Sequence, residues 1–255
     1  MEERKQKEIE HYDQKAKEFS DNESGDFEGL NPFLLESYQF LKKITLPLIT
    51  GKKVLDYGCG NGVHAVWLAE SADELIGIDL SERSLEIAKK RIEKLGDREE
   101  RAVFLTMDCE KMEFPENYFD IIFDGGTFSS LDLKKVLPEV ARVLKPDGFL
   151  LGIETLGHNP FTNLKRKINK ITGKRTGWAT EHIFRLEDLK EAEKYFGKIE
   201  VNFFHLTSWI AFLFLSLPGG KLLLKLLEKL DKVLLKLPFL KKYAFKIVFV
   251  FSLPR

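Results

Sequence analysis

Little in this 255-residue chain invites covalent cross-linking or metal binding. It holds two cysteines, Cys59 and Cys109, and neither sits in a metal-type pair. Neither a disulfide framework nor a zinc site is suggested, and no metal ligand set is expected. Net charge is also missing: 40 basic side chains against 40 acidic ones sum to zero, so no global field draws nucleic acid. The opening MEERKQKEIEHYDQ lacks an apolar core, which argues against a secretory signal and makes a cytoplasmic setting the expectation. Long hydrophobic runs are absent too. The greasiest, 209–217, falls well short of the roughly twenty apolar residues that span a bilayer.

What the chain does have is alternation. After a polar helical stretch over 1–20, with Ile9, Tyr12, Ala16 and Phe19 on one face, Pro32 opens a second helix running to about Ile44. Strand-like segments at 52–57, 74–79, 102–107, 118–124 and 148–155 then alternate with helical ones at 63–71, 81–96 and 132–144. Ser81 is a natural N-cap and Gly96 a natural stop. Strands apolar on both faces, separated by amphipathic helices, predict a doubly wound α/β domain around a mostly parallel sheet. Beyond 155 come a basic, loop-like segment (156–182), a helix (185–196) and two strands (198–206 and 243–253).

The first strand ends in VLDYGCGNG, residues 54–62. A glycine-rich turn at a strand's carboxyl end lets a ligand approach the backbone closely, and Asp79, closing the next strand, is placed to accept ribose hydroxyls. A dinucleotide loop has its third glycine one residue later than Gly62, and a pyrophosphate has little use for Asp56 beside it. Both details disfavour a nicotinamide dehydrogenase. A cofactor with a cationic amino group and a sulfonium, such as S-adenosylmethionine, would use that carboxylate.

VLDYGCGNG, IGIDLS, MDCEKMEFPENYFDIIF and ARVLKPDG resemble the successive motifs of class I S-adenosylmethionine-dependent methyltransferases over roughly residues 50–155. The resemblance implies a seven-stranded Rossmann-like sheet with an antiparallel last strand. By position it implies that Asp56, Gly58, Cys59 and Gly60 line the methionine part, Asp79 holds the ribose and Leu80 packs on adenine. It further implies that Asp108 meets the adenine amino group, Cys109 lies beside the ring and Tyr12 of HYDQKAKEF covers the cofactor. Many relatives carry a histidine pair where this chain has Ser129 and Ser130, which leaves Asp124 as a candidate to orient or deprotonate an acceptor.

The segment after the fifth strand offers Glu154, His158, Asn159, Arg175, Glu181 and His182. It resembles a GHNP…R-T…EH pattern in a subgroup associated with polysaccharide, lipid or secondary-metabolite pathways. His182 is the first candidate for a general base and His158 the second, each weighed against a structural role. Lys165, Arg166, Lys167, Lys170, Lys174 and Arg175 form either a solvated helix face or a seat for a phosphate or acidic head group.

Residues 207–242 are an insertion that a sheet connection does not need. Lys221, Lys225, Lys229, Lys232 and Lys236 form one helical stripe among leucines, the pattern of an interfacial helix. Packing on the chain's own sheet and a homodimer seam are the rival readings, so monomer and homodimer stay open. The organisation expected is capping helices (1–48), a cofactor-binding core (49–155), an acceptor-side segment (156–206), the insertion (207–242) and the last strand (243–255). The function expected is a methyltransferase, cytoplasmic and peripheral on a membrane, acting on a hydrophobic or lipid-linked acceptor. A methyltransferase for a soluble small molecule and a non-catalytic membrane-binding scaffold are the alternatives.

Overall fold

Seven strands build one sheet in this computed structural model, which describes residues 2–21, 34–96, 99–171 and 176–255. In chain order they are β1 (Lys53–Tyr57), β2 (Glu74–Asp79), β3 (Ala102–Thr106), β4 (Phe119–Asp124), β5 (Leu144–Thr155), β6 (Phe196–Phe204) and β7 (Lys246–Pro254). Their spatial order is β3-β2-β1-β4-β5-β7-β6. The first five run parallel, and β7 is antiparallel to both its neighbours. Strand order reverses between β1 and β4, and the crevice at their carboxyl ends is where such sheets bind ligands.

Both faces of the sheet are covered, which is why its strands read as unbroken apolar runs. Val54, Ile121, Phe123, Leu151 and Ile153 pack against α2 (Glu36–Ile49), α3 (Ala65–Leu68) and α4 (Glu82–Glu93). Leu55, Ile122, Leu150 and Phe249 pack on the other face against α5 (Leu133–Val143) and α8 (Leu186–Ala192). Ser81 caps α4 by accepting the Ser84 N–H at 3.0 Å, and Asp132 caps α5 by accepting the Lys134 N–H at 3.1 Å.

Several expected boundaries are corrected. The helix expected at 63–71 is helical only over α3. Strand β5 begins at Leu144, not 148, because Leu144 pairs with Phe119 before the register shifts and resumes at Phe149. The helix expected to reach 196 stops at Ala192, since Phe196 already pairs with Pro254. The segment 156–182, expected as a loop, holds α6 (Pro160–Ile171) and α7 (Gly177–Glu181). Helix α2 ends at Ile49 rather than 44, and Pro32, expected to open it, lies outside the described residues.

The insertion comprises a 3-10 turn (Ser208–Phe214), α9 (Gly220–Leu234) and α10 (Pro238–Lys241). It leaves the sheet after β6 and returns at the start of β7, so it stands at the same edge as the β1 and β4 carboxyl ends. Its inner side is apolar, with Ala211 and Leu224 buried in the core and Phe212, Leu215, Leu223 and Leu227 packed against it, and polar bonds fix the attachment. Asp231, buried, accepts the Thr207 and Ser208 N–H groups at 2.8 and 3.0 Å. His205, buried, joins Ser37 on α2 to Ser208, each at 2.9 Å. Burial, then the Lys246 charge, pushes the His205 pKa down to about 3, so its ring is neutral. Glu228 accepts the Glu36 N–H at 2.9 Å. With both acids of α9 turned inward, the outer face carries leucines and lysines.

Candidate active site

The glycine loop is built by close approach. Gly58 has φ +63°, and a Cβ there would lie 2.3 Å from Thr127 Cγ2. Thr127 Oγ1 lies 3.2 Å from the Tyr57 and Gly58 carbonyls, which pins the β4 turn to the loop. Gly62, at φ +75°, lies against α4, where a Cβ would come within 2.8 Å of the Ala88 Cα. Only glycine suits backbone that is both left-handed and this crowded. Cys59 donates its N–H to the Ile78 carbonyl at 2.9 Å and is buried, which ties the loop to β2.

Three carboxylates expected from the sequence stand at this edge, in different states. Asp56 is 1% exposed and its Oδ2 has no hydrogen-bond partner among the described residues. Burial, and next the charge of Asp79, push its pKa up to about 8. Asp79 accepts the Gly60 and Ser81 N–H groups, each at 2.9 Å; burial raises its pKa against the pull of those bonds. Leu80, half-buried, follows it. Asp108 accepts the Glu110 N–H at 2.9 Å and is ion-paired with Lys5 at 2.6 Å. Cys109 is buried, and its carbonyl accepts the Tyr57 hydroxyl at 2.7 Å.

Lys5 belongs to α1 (Glu3–Asp21), which closes over the strand ends. The sequence suggested that this helix docks through Ile9, Tyr12, Ala16 and Phe19. Ala16 is buried, but the contacts that seat the helix are charged. Arg4 and Lys5 reach Glu110 at 2.6 and 2.9 Å, Asp13 accepts the Ser81 hydroxyl at 2.5 Å, and Glu8 accepts the Thr176 hydroxyl. Tyr12 is 38% exposed, with its hydroxyl 3.3 Å from Ser130 Oγ; the Phe19 side chain lies outside the described residues.

The acceptor-side candidates do not converge. Asp124 is fully buried at the end of β4; its Oδ1 accepts the Thr127 N–H at 2.9 Å and its Oδ2 has no partner among the described residues. Burial, followed by the charge of Glu154, drives its pKa well up. His158 Nε2 accepts the Leu186 N–H at 3.2 Å and lies 3.4 Å from Glu187, holding the start of α8. His182 is exposed and stacks on Trp178 at 3.5 Å, with the Arg4 guanidinium 4.4 Å from the same ring. No described contact brings either histidine to Asp56 or Asp124. In the basic cluster Arg166 is buried and donates to Asn163, Lys170 pairs with Glu181 at 2.7 Å, and Lys174 and Arg175 lie outside the described residues.

One histidine was missed. His64, two residues past the glycine loop, stacks on Tyr38 at 6.0 Å and accepts from Trp67 Nε1 at 3.4 Å. It crowds Gly125, where a Cβ would lie 2.6 Å from its ring. Burial, then Lys246, lowers its pKa to about 4. Its place just after Gly62 was the available signal. Among the described residues no cluster of His, Cys, Asp and Glu is arranged to hold a metal, and no helix is long and apolar enough to cross a membrane.

Comparison with known proteins locates this arrangement. Residues 55–152 match the family model described as a methyltransferase domain. Over 107 residues the chain is 36% identical to 27-O-demethylrifamycin SV methyltransferase of Amycolatopsis mediterranei, covering 41% of this chain and 39% of that one. It therefore spans about two fifths of that relative's length. Demethylmenaquinone methyltransferase of Bacillus cereus is 29% identical over 74% of this chain and 73% of its own. In structure, Haemonchus contortus phosphoethanolamine N-methyltransferase 2, in complex with phosphomonomethylethanolamine and S-adenosylhomocysteine, superposes with a TM-score of 0.60. That match has 22% identity and covers 87% of this chain and 54% of the other, a likeness of fold.

Proposed function

Because the domain over residues 55–152 belongs to the class I S-adenosylmethionine-dependent methyltransferase family, we propose that the chain transfers a methyl group to a hydrophobic or lipid-linked acceptor at a membrane surface. When bound, the cofactor supplies a sulfonium-activated methyl. The chain's part is to orient donor and acceptor in line, which accounts for much of such a rate.

The buried Asp56 oxygen that lacks a partner among the described residues supports the cofactor's fit. An unpaired carboxyl at 1% exposure costs free energy, and a cationic amino group beside it removes that cost. Gly58 and Gly60 would let the methionine part approach. Asp79 would accept the ribose hydroxyls, and Asp108 the adenine amino group. Leu80 and Cys109 would flank the adenine ring under the cover of Tyr12. Asp124, at the crevice, suits the acceptor better than His182 or His158, whose contacts are with α7 and α8.

The membrane half of the reading is carried by what the insertion exposes. Leu213, Leu217, Leu222, Leu226, Leu230, Val233, Leu237 and Phe239 are each 44–72% exposed, where self-packing would bury them. Every exposed charge from 207 to 242 is a lysine, in a chain of zero net charge. Leucines that enter an interface while lysines meet anionic head groups fit peripheral binding on a cytoplasmic leaflet. Flotation with anionic vesicles at low salt tests it. The protein is expected to rise with the lipid and to be released by salt; protein left wholly in the soluble fraction would overturn the membrane assignment.

A further inference from the structure

Asp56 Oδ2 and Asp124 Oδ2 have no hydrogen-bond partner among the described residues, and the sheet register separates them. Asp56 pairs with Phe123 and Tyr57 with Asp124, so Asp56 and Asp124 project from opposite faces of the sheet at the same edge. One ligand group cannot serve both in the same way. Asp56 lies on the face of the glycine loop and α4. Asp124 lies on the face of Phe128, Phe184 and Phe249, and is left for something other than the cofactor's amino group.

That second place is acidic. Asp124 pairs with Gly152, so Glu154, two residues on, projects from the same face of the neighbouring strand; both acids are at most 2% exposed. Gly152 leaves them room, since a Cβ there would stand 2.9 Å from Asp124 Cβ and 2.5 Å from the Phe249 ring. Phe249 stacks with Phe128 at 5.6 Å, which makes one wall of the place aromatic. Burial disfavours an ionised carboxylate here; an ammonium entering beside the aromatic wall stabilises that ionised form, and a neutral hydroxyl does not.

We propose that Asp124, backed by Glu154, receives the reacting group of the acceptor, and that this group is a protonated primary or secondary amine on a long-chain amphiphile. The inference rests on the methyltransferase reading above and narrows it to nitrogen. The bound ammonium displaces the proton that Asp124 holds, which leaves to solvent; the ammonium's own proton then passes to the Asp124 carboxylate, freeing the nitrogen lone pair. That pair forms the new N–C bond as the methyl's bond to sulfur breaks, and the sulfur keeps the electrons. The products are the methylated ammonium and S-adenosylhomocysteine, and Asp124 again holds a proton. Burial that raises the affinity of Asp124 for a proton also makes it a better match for an amine than an ordinary carboxylate.

The test crosses head group with chain length. Dodecylamine, N-methyldodecylamine and dodecanol in anionic vesicles, and butylamine in solution, are offered with methyl-labelled cofactor to the wild type, Asp124→Asn and Glu154→Gln. Binding of cofactor, and of dodecylamine in the presence of S-adenosylhomocysteine, is measured by calorimetry without turnover. Label is expected in both dodecylamines and not in dodecanol. Asp124→Asn keeps the cofactor affinity and the Thr127 bond, but loses dodecylamine binding and about 100-fold in transfer. Label in dodecanol alone, cofactor binding with no label in any amine, or transfer unchanged in both variants would overturn the inference. Butylamine labelled as well as dodecylamine would overturn the lipid reading and leave the nitrogen assignment standing. Absence of cofactor binding would overturn the methyltransferase reading, and the inference with it.

Discussion

Replacing Asp56 by Asn should move stability and cofactor affinity in opposite directions. In the folded chain the Asp56 carboxyl titrates at about 8 against a reference of 3.8, so it holds its proton over a range in which the unfolded chain has lost it. A raised folded-state pKa gives stability that is fully present below pH 3.8 and is lost as pH rises through about 8. At pH 7 the linkage amounts to about 4 kcal/mol relative to acid conditions. Asparagine has nearly the same shape and does not titrate, so the variant escapes this loss. At roughly 2–4 °C per kcal/mol for a chain of this size, its Tm at neutral pH should rise by up to about 16 °C, with a flatter pH dependence between 4 and 8. On the cofactor role proposed for Asp56, the same change removes a charge-assisted partner of the amino group, worth about 2–3 kcal/mol, so Kd should rise roughly 30- to 150-fold. Scanning calorimetry across pH and titration calorimetry with S-adenosylmethionine read the two effects. A variant that loses stability at neutral pH, or binds the cofactor as tightly as wild type, would refute the reasoning.

Gly62→Ala should lower Tm by an amount corresponding to about 2–3 kcal/mol, because the new Cβ is both left-handed in φ and driven into the Ala88 backbone on α4; thermal unfolding checks it. Joint replacement of Leu222, Leu226 and Leu230 by Ser should leave Tm within about 1 °C while weakening vesicle binding by at least about 100-fold, since these side chains touch little of the fold; flotation and melting read together decide it. Lys5→Ala should raise amide exchange across α1. It should also alter acid sensitivity: burial pushes the Glu110 pKa up, but Lys5 and Arg4 pull it down further, to a net lowering. A depressed carboxyl gives stability that is lost as pH falls through its folded-state value, so the variant should lose less stability than wild type between about pH 5 and 3.

The parallel core could be read from sequence because its strands are buried on both faces; β2 matches its expected range of 74–79 residue for residue. Turn chemistry served equally well where the side chain acts locally, as at Ser81. Reading failed where partners are remote. Helix α1 looked as though it docked by an apolar stripe, yet its inward face is charged, because Lys5 meets Asp108 and Arg4 meets Glu110 across more than a hundred residues. Helix α6 was taken for loop because its lysines hid Leu164, Ile168 and Ile171, which recur at helical spacing but face outward. The placement of Asp56 and Asp79 at the carboxyl ends of their strands was legible from the sequence. The approach of Glu154 to Asp124 was not, since it depends on a register that only the assembled sheet sets. His158 and His182 drew attention as titratable residues, and the fold uses one to hold α8 and the other to stack on Trp178.

The most direct test of the central claim is the fate of the methyl group. Purified protein is incubated with methyl-labelled S-adenosylmethionine and, separately, with a total lipid extract and a soluble metabolite extract of the source cells. The account predicts label in the organic phase of the lipid reaction and none in the soluble products. Label confined to soluble products would contradict the lipid acceptor and return the leucine face of the insertion to packing or a dimer seam. Label in neither, from protein shown to bind the cofactor, would contradict the transferase itself.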